Sequence, residues 1–159
     1  MGRVELSGGF RAEDFAPDGS LRDVCVLGVD LPVWERLLRA ALKSPWDCRF
    51  ELNDKPCPLA EFSAPDFFAA KEKGEDVSAR LSIQVGELWF DCFLFEATEI
   101  EFSFDPSEIA DGRHFGALEK FMIWLAEACD RRVIMTMEST HHDDIPPLLE
   151  TVRRQASPS

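Results

Sequence analysis

No tyrosine occurs in this 159-residue chain although it holds 13 phenylalanines, and bases are scarce, with 17 Lys and Arg against 30 Asp and Glu. The tyrosine gap has no evident physical cause. The charge deficit does have a consequence: a formal net charge of −13 and a pI near 4.6 argue against nucleic acid or an anionic membrane as partner, since either would need a basic patch. Any partner is expected to be basic. Cysteine is limited to Cys25, Cys48, Cys57, Cys92 and Cys129, with no Cys-x-x-Cys pair, so zinc-ribbon and dithiol redox chemistry have no motif. Each cysteine reads as a small buried hydrophobe. No apolar run approaches the roughly 18 residues of a membrane span, and the N-terminal MGRVELSGGF lacks the core of a secretory signal, so a cytoplasmic protein is expected.

Catalytic signatures are equally sparse. There is no G-x-S-x-G elbow, and Gly8-Gly9 stands alone without a helix start that could cradle phosphate. Glu99 and Glu101 would share a strand face about 7 Å apart, yet such a pair is nearly inevitable among 30 acids. The chain reads as a non-enzyme with no implied cofactor. One loop carries ligand-type residues: His141, His142 and Asp144 follow a predicted strand, and imidazoles with carboxylates can bind a divalent ion. Neighbouring residues of an extended segment point opposite ways, however, which sets His141 against His142 as co-ligands. A metal-dependent hydrolase at this loop is the alternative function.

What is present is concentrated in Ala79 to Asp105, ARLSIQVGELWFDCFLFEATEIEFSFD. Leu81, Ile83 and Val85 alternate with polar residues, Gly86-Glu87 suits a two-residue hairpin turn, and the return strand places Leu88, Phe90 and Cys92 opposite them. That second strand is apolar on both faces, because Trp89, Phe93 and Phe95 line its reverse side. In the third strand Ile100, Phe102 and Phe104 alternate with Glu101 and Ser103. A loop of Ala97 to Glu99 would set those apolar residues beside Leu94, Cys92 and Phe90, whereas a slip of one residue would invert the faces. The first register is preferred. It leaves Trp89, Asp91, Phe93 and Phe95 beside Glu101 and Ser103, on a face that a helix covers, the commoner arrangement, or that a partner uses.

Elsewhere, residues 3–7, 21–28, 46–52 and 132–138 read as strands, with a short edge piece over 57–62. Asp30 caps a helix over 31–43, Ser63 opens a capping box for a short helix through Lys73, and the longest apolar stripe predicts a helix over 113–130. The strand at 132–138 is expected to lie parallel to an earlier one through a crossover. The expectation is therefore an α+β fold: a mixed, mainly antiparallel sheet of about five to seven strands with two main helices and one short helix packed on it. Residues 1–150 would form one domain, with 151–159 a disordered tail.

Between Glu87 and Asp111 lie eight acids and no Lys or Arg, interleaved with aromatics. Aromatics anchor and carboxylates steer, so Trp89, Asp91, Phe93, Glu99, Glu101 and Asp105 form the candidate binding surface for a basic protein. Bacterial toxin-neutralising immunity proteins have this general character: small, acidic and without catalytic motifs. The 12 Arg against 5 Lys fit a GC-rich bacterial source. A self-associating regulatory subunit, joined across a sheet edge, is a further alternative.

Overall fold

A computed structural model describes residues 2–138 and 146–155. Three helices pack on a nine-stranded antiparallel sheet, so the α+β class stands with more strands than expected. The strands are β1 (Gly2–Ser7), β2 (Arg22–Val26), β3 (Asp47–Leu52), β4 (Lys55–Pro56), β5 (Ala79–Val85), β6 (Leu88–Phe93), β7 (Ile100–Phe104), β8 (Val133–Met137) and β9 (Leu149–Gln155). Their spatial order is β1-β9-β8-β2-β7-β6-β5-β3-β4.

The central hairpin has the register that its alternation predicts: Val85 opposes Leu88, Ile83 opposes Phe90 and Leu81 opposes Cys92, across a turn in which Gly86 takes a φ of 61°. A positive φ at this position is what favours glycine. Cys92 opposes Phe102 in the next pair, which is the preferred register for β7. Ile100, Phe102 and Phe104 are accordingly buried together with Phe90, Cys92 and Leu94.

Local signals also start the helices. Asp30 accepts from the Val33 N–H at the head of α1 (Leu31–Lys43), Ser63 from the Asp66 N–H at α2 (Ala64–Glu72), and Asp111 from the Arg113 and His114 N–H groups at α3 (Gly112–Cys129). Each cap satisfies amides that the first helical turn leaves without partners. Phe121 of α3 lies at the centre of the core, its ring 4.0 Å from that of Phe90 at 10° and 5.1 Å from Phe102 at 78°. Through Trp46 and Trp124 the same cluster extends to the head of β3. Around Trp34 and Phe68, α1 meets α2, and Phe62 and Phe67 close over Phe50. All three helices thus lie on one side of the sheet.

Three expectations are corrected. The sheet is not mixed, since every pairing among the described residues is antiparallel. The crossover through α3 does carry β8 back in the direction of β7, but β2 lies between them, antiparallel to both. Residues 57–62 form no edge strand; Lys55–Pro56 pairs instead, and Leu59–Glu61 is a 3-10 turn. A tail from residue 151 is likewise overturned by β9, which pairs along its length with β1. LETVRRQ lacks an alternating apolar face because its inward positions include Thr151, 3% exposed, whose hydroxyl accepts from the Val133 N–H at 2.9 Å. A side chain there takes the role of a ladder partner.

Because Phe121 contacts two central strands at once, Phe121→Ala should lower stability by about 3–5 kcal/mol through lost burial and a residual cavity. Urea unfolding followed by circular dichroism measures this. A loss below about 1 kcal/mol would show that the core does not depend on this ring.

The open face of the sheet

Among the described residues no helix lies on the side of β3, β5, β6 and β7 turned away from α1, α2 and α3, contrary to the expected cover. Phe93 is 49% and Phe95 65% exposed. Trp89 is half-buried, not by a helix but by the Arg49 guanidinium, 4.7 Å from the ring centroid. Arg80 similarly sits 6.0 Å from the Phe93 ring while pairing with Glu51. Phe93 and Phe95 stack on each other at 5.7 Å and 19°.

The pleat explains this company. Outward residues of neighbouring strands align in rows: Arg49, Ser82, Asp91, Ser103, Asp23 and Thr136 form one, and Glu51, Arg80 and Phe93 begin the next. One step beyond the Cys92–Phe102 pair, Glu101 falls beside Phe93, with Cys25 on its other side. Within the rows the Ser82 hydroxyl donates to Asp91 at 2.6 Å and that of Ser103 to Asp23 at 3.0 Å.

Of the expected surface residues, the structure groups Trp89, Asp91, Phe93 and Glu101 on this one face, with Glu99 exposed in the turn before β7. Asp105 is exposed too, but its carboxylate accepts from the Ser107 N–H at 2.9 Å and caps a 3-10 turn. The acidic run itself divides. Glu87 faces His114 at 2.8 Å and Asp111 caps α3, so these two acids tie the β5–β6 turn to the helix. The absence of bases along the run does not carry over into space, because Arg49 and Arg80 arrive from β3 and β5. These two arginines and Asp23 escaped the sequence reading. Alternation alone points Arg49 and Asp23 outward, yet only strand order sets them beside the aromatics.

Glu101 is the electrostatically unusual group of the face. Its carboxyl loses hydration against the sheet and hydrogen-bonds Asp23, 3% exposed, with Glu99 adding like charge, and it is pushed up to about 7. The residue as a whole is exposed, so the energetic weight of this shift is discounted for solvent screening. Burial first, then Glu101, raises the Cys25 thiol to about 12, which leaves it protonated and unsuited to nucleophilic chemistry. The alternative metal loop, His141, His142 and Asp144, lies outside the described residues. Among the described residues no three His, Cys, Asp or Glu side chains gather as a metal site, and no helix is long and apolar enough to cross a membrane.

No protein-family model matches the chain significantly, and neither does any curated protein or solved structure. The reading of this face therefore rests on its own chemistry.

An acid whose pKa is raised by folding stabilises the native state below its unfolded value, and that contribution is lost as pH rises through the folded one. Wild-type stability should thus fall between about pH 4.5 and about pH 7 by an amount attributable to Glu101. Glu101→Gln should flatten this dependence, gaining on wild type by about 1 kcal/mol at pH 8 after screening. Chemical unfolding at several pH values reads the difference; parallel curves would show that Glu101 titrates as an ordinary surface carboxyl.

Proposed function

We propose that this chain is a small protein-binding module whose open sheet face engages a basic protein, in the manner of bacterial toxin-neutralising proteins. One observation carries the reading: β6 has apolar residues on both sides, and its outer Phe93 and the following Phe95 remain exposed, with Glu96, Glu99 and Glu101 next along the chain. A strand that is apolar on both faces is ordinarily covered on both. Here the second cover is the partner.

Aromatic anchors supply contact area at low entropic cost, and unneutralised carboxylates steer a cationic surface into register. The whole-chain charge of −13 extends that attraction beyond contact range. The same charge disfavours a face-to-face dimer, which would set Glu99 and Glu101 of one copy against those of the other. A non-identical basic protein fits better.

The test is affinity capture at low salt from the source organism with wild-type bait and a Glu99→Lys/Glu101→Lys bait, each first shown folded by circular dichroism. A basic protein held by the wild type, released as salt rises and missing from the reversed bait is the expected result. Hydrogen exchange on the recovered complex should then protect β6 and β7. Identical captures on both baits, or none, would overturn the reading and leave the acids as a solvated surface.

A further inference from the structure

We infer that the partner meets this face with an arginine, its guanidinium laid on Phe95, the uncovered ring of the Phe93–Phe95 pair, and its charge met by Glu96, Glu99 and Glu101. The inference rests on the proposed binding role and adds the chemistry of recognition. Three independent features converge on it.

The first is the protein's own usage. Arg49 lies over Trp89 while approaching Asp47 at 3.7 Å, and Arg80 lies over Phe93 while pairing with Glu51. Twice, then, this face joins a guanidinium simultaneously to a ring and a carboxylate. Phe95 is the exception: it is the more exposed of the stacked pair, and among the described residues no cation lies over it.

The second is charge. Among the described residues, no Lys, Arg or His pairs with Glu96, Glu99 or Glu101; Glu96 meets only Thr98, and Glu101 meets Asp23 and Cys25. Other acids nearby are occupied, Glu51 by Arg80 and Glu87 by His114. Three carboxylates without a basic partner among the described residues thus follow, within six residues along the chain, the ring that lacks a cation.

The third is room. A recess of about 330 Å³ opens beside Phe93, bounded by Glu51, Asp54, Ser78 and Arg80. It lies on the Arg80 side of Phe93 and includes neither Phe95 nor the three glutamates, so it offers space for chain beside the ring pair and is not the seat of the arginine itself. Arginine suits this geometry better than lysine, because a planar guanidinium stacks on a ring and hydrogen-bonds a carboxylate with the same atoms, whereas an ammonium is a compact, strongly hydrated point charge.

The experiment titrates 15N-labelled protein at about pH 8, where Glu101 is ionised, with the peptide Ac-GRGRG-amide and with its lysine and citrulline counterparts. Amide shifts should cluster at residues 93–101 for the arginine peptide, be weaker for lysine and vanish for citrulline. Phe95→Leu keeps apolar area but removes the ring, and should weaken arginine-peptide affinity about threefold to fivefold. Shifts centred elsewhere, none up to about 10 mM peptide, equal response to lysine, or indifference to Phe95→Leu would each overturn the inference. Those outcomes are separable from failure of the binding role itself, which is decided by the charge-reversed bait: a basic protein lost on charge reversal but kept by a Phe95→Leu bait leaves the role and removes the arginine.

Discussion

Phe121 stacked on Phe90 and set edge-on to Phe102 is the contact on which the arrangement of layers depends. It joins the longest helix to two adjacent central strands. Because α3 also packs against β1, β2, β8 and β9, its seat brings the β1–β9 arm and the β3–β7 meander under the same helix. Helix α1 then packs on α3 rather than beginning a second layer beyond the sheet, and α2 follows α1. With every helix committed to one side, the other side of β3 to β7 must be made of residues that tolerate water.

Most of them do. Ser82, Asp91, Ser103 and Asp23 satisfy one another in a polar row, as buried or half-buried hydrogen-bonding groups must. The exceptions are Trp89 and Phe93 of β6 and Phe95 just beyond its end. Trp89 and Phe93 are partly shielded by arginines whose guanidinium groups lie over the rings while also approaching carboxylates. Phe95 has no such cover. An apolar ring left to solvent has an energetic cost in the free protein that the proposed complex would remove, which links the packing around one strand to the proposed function.

The legible parts of the fold were those decided by near neighbours. Val85, Gly86, Glu87 and Leu88 contain the whole specification of a hairpin, and burial of Ile100, Phe102 and Phe104 chose the next register because a slip would have exposed all three. Asp30 and Ser63 mark helix starts by their own side chains, whereas the Asp111 cap of α3 escaped the sequence reading and that helix was legible only from its apolar stripe. By contrast β9 was unreadable: Thr151 substitutes a hydroxyl for an apolar inward residue, and its partner β1 is distant in sequence.

For the open face of the sheet the division is the same. A period of two and the identity of the residues are enough to show that β6 carries apolar residues on both faces and that acids follow its outer one along the chain. Long-range pairing and helix placement were needed to show that no helix among the described residues covers that face, that β2 stands between β7 and β8 and brings Asp23 to Glu101, and that Arg49 and Arg80 lie over two of its rings. Those facts depend on long-range pairing and on which side of the sheet the helices pack, and local side-chain alternation carries no information about either.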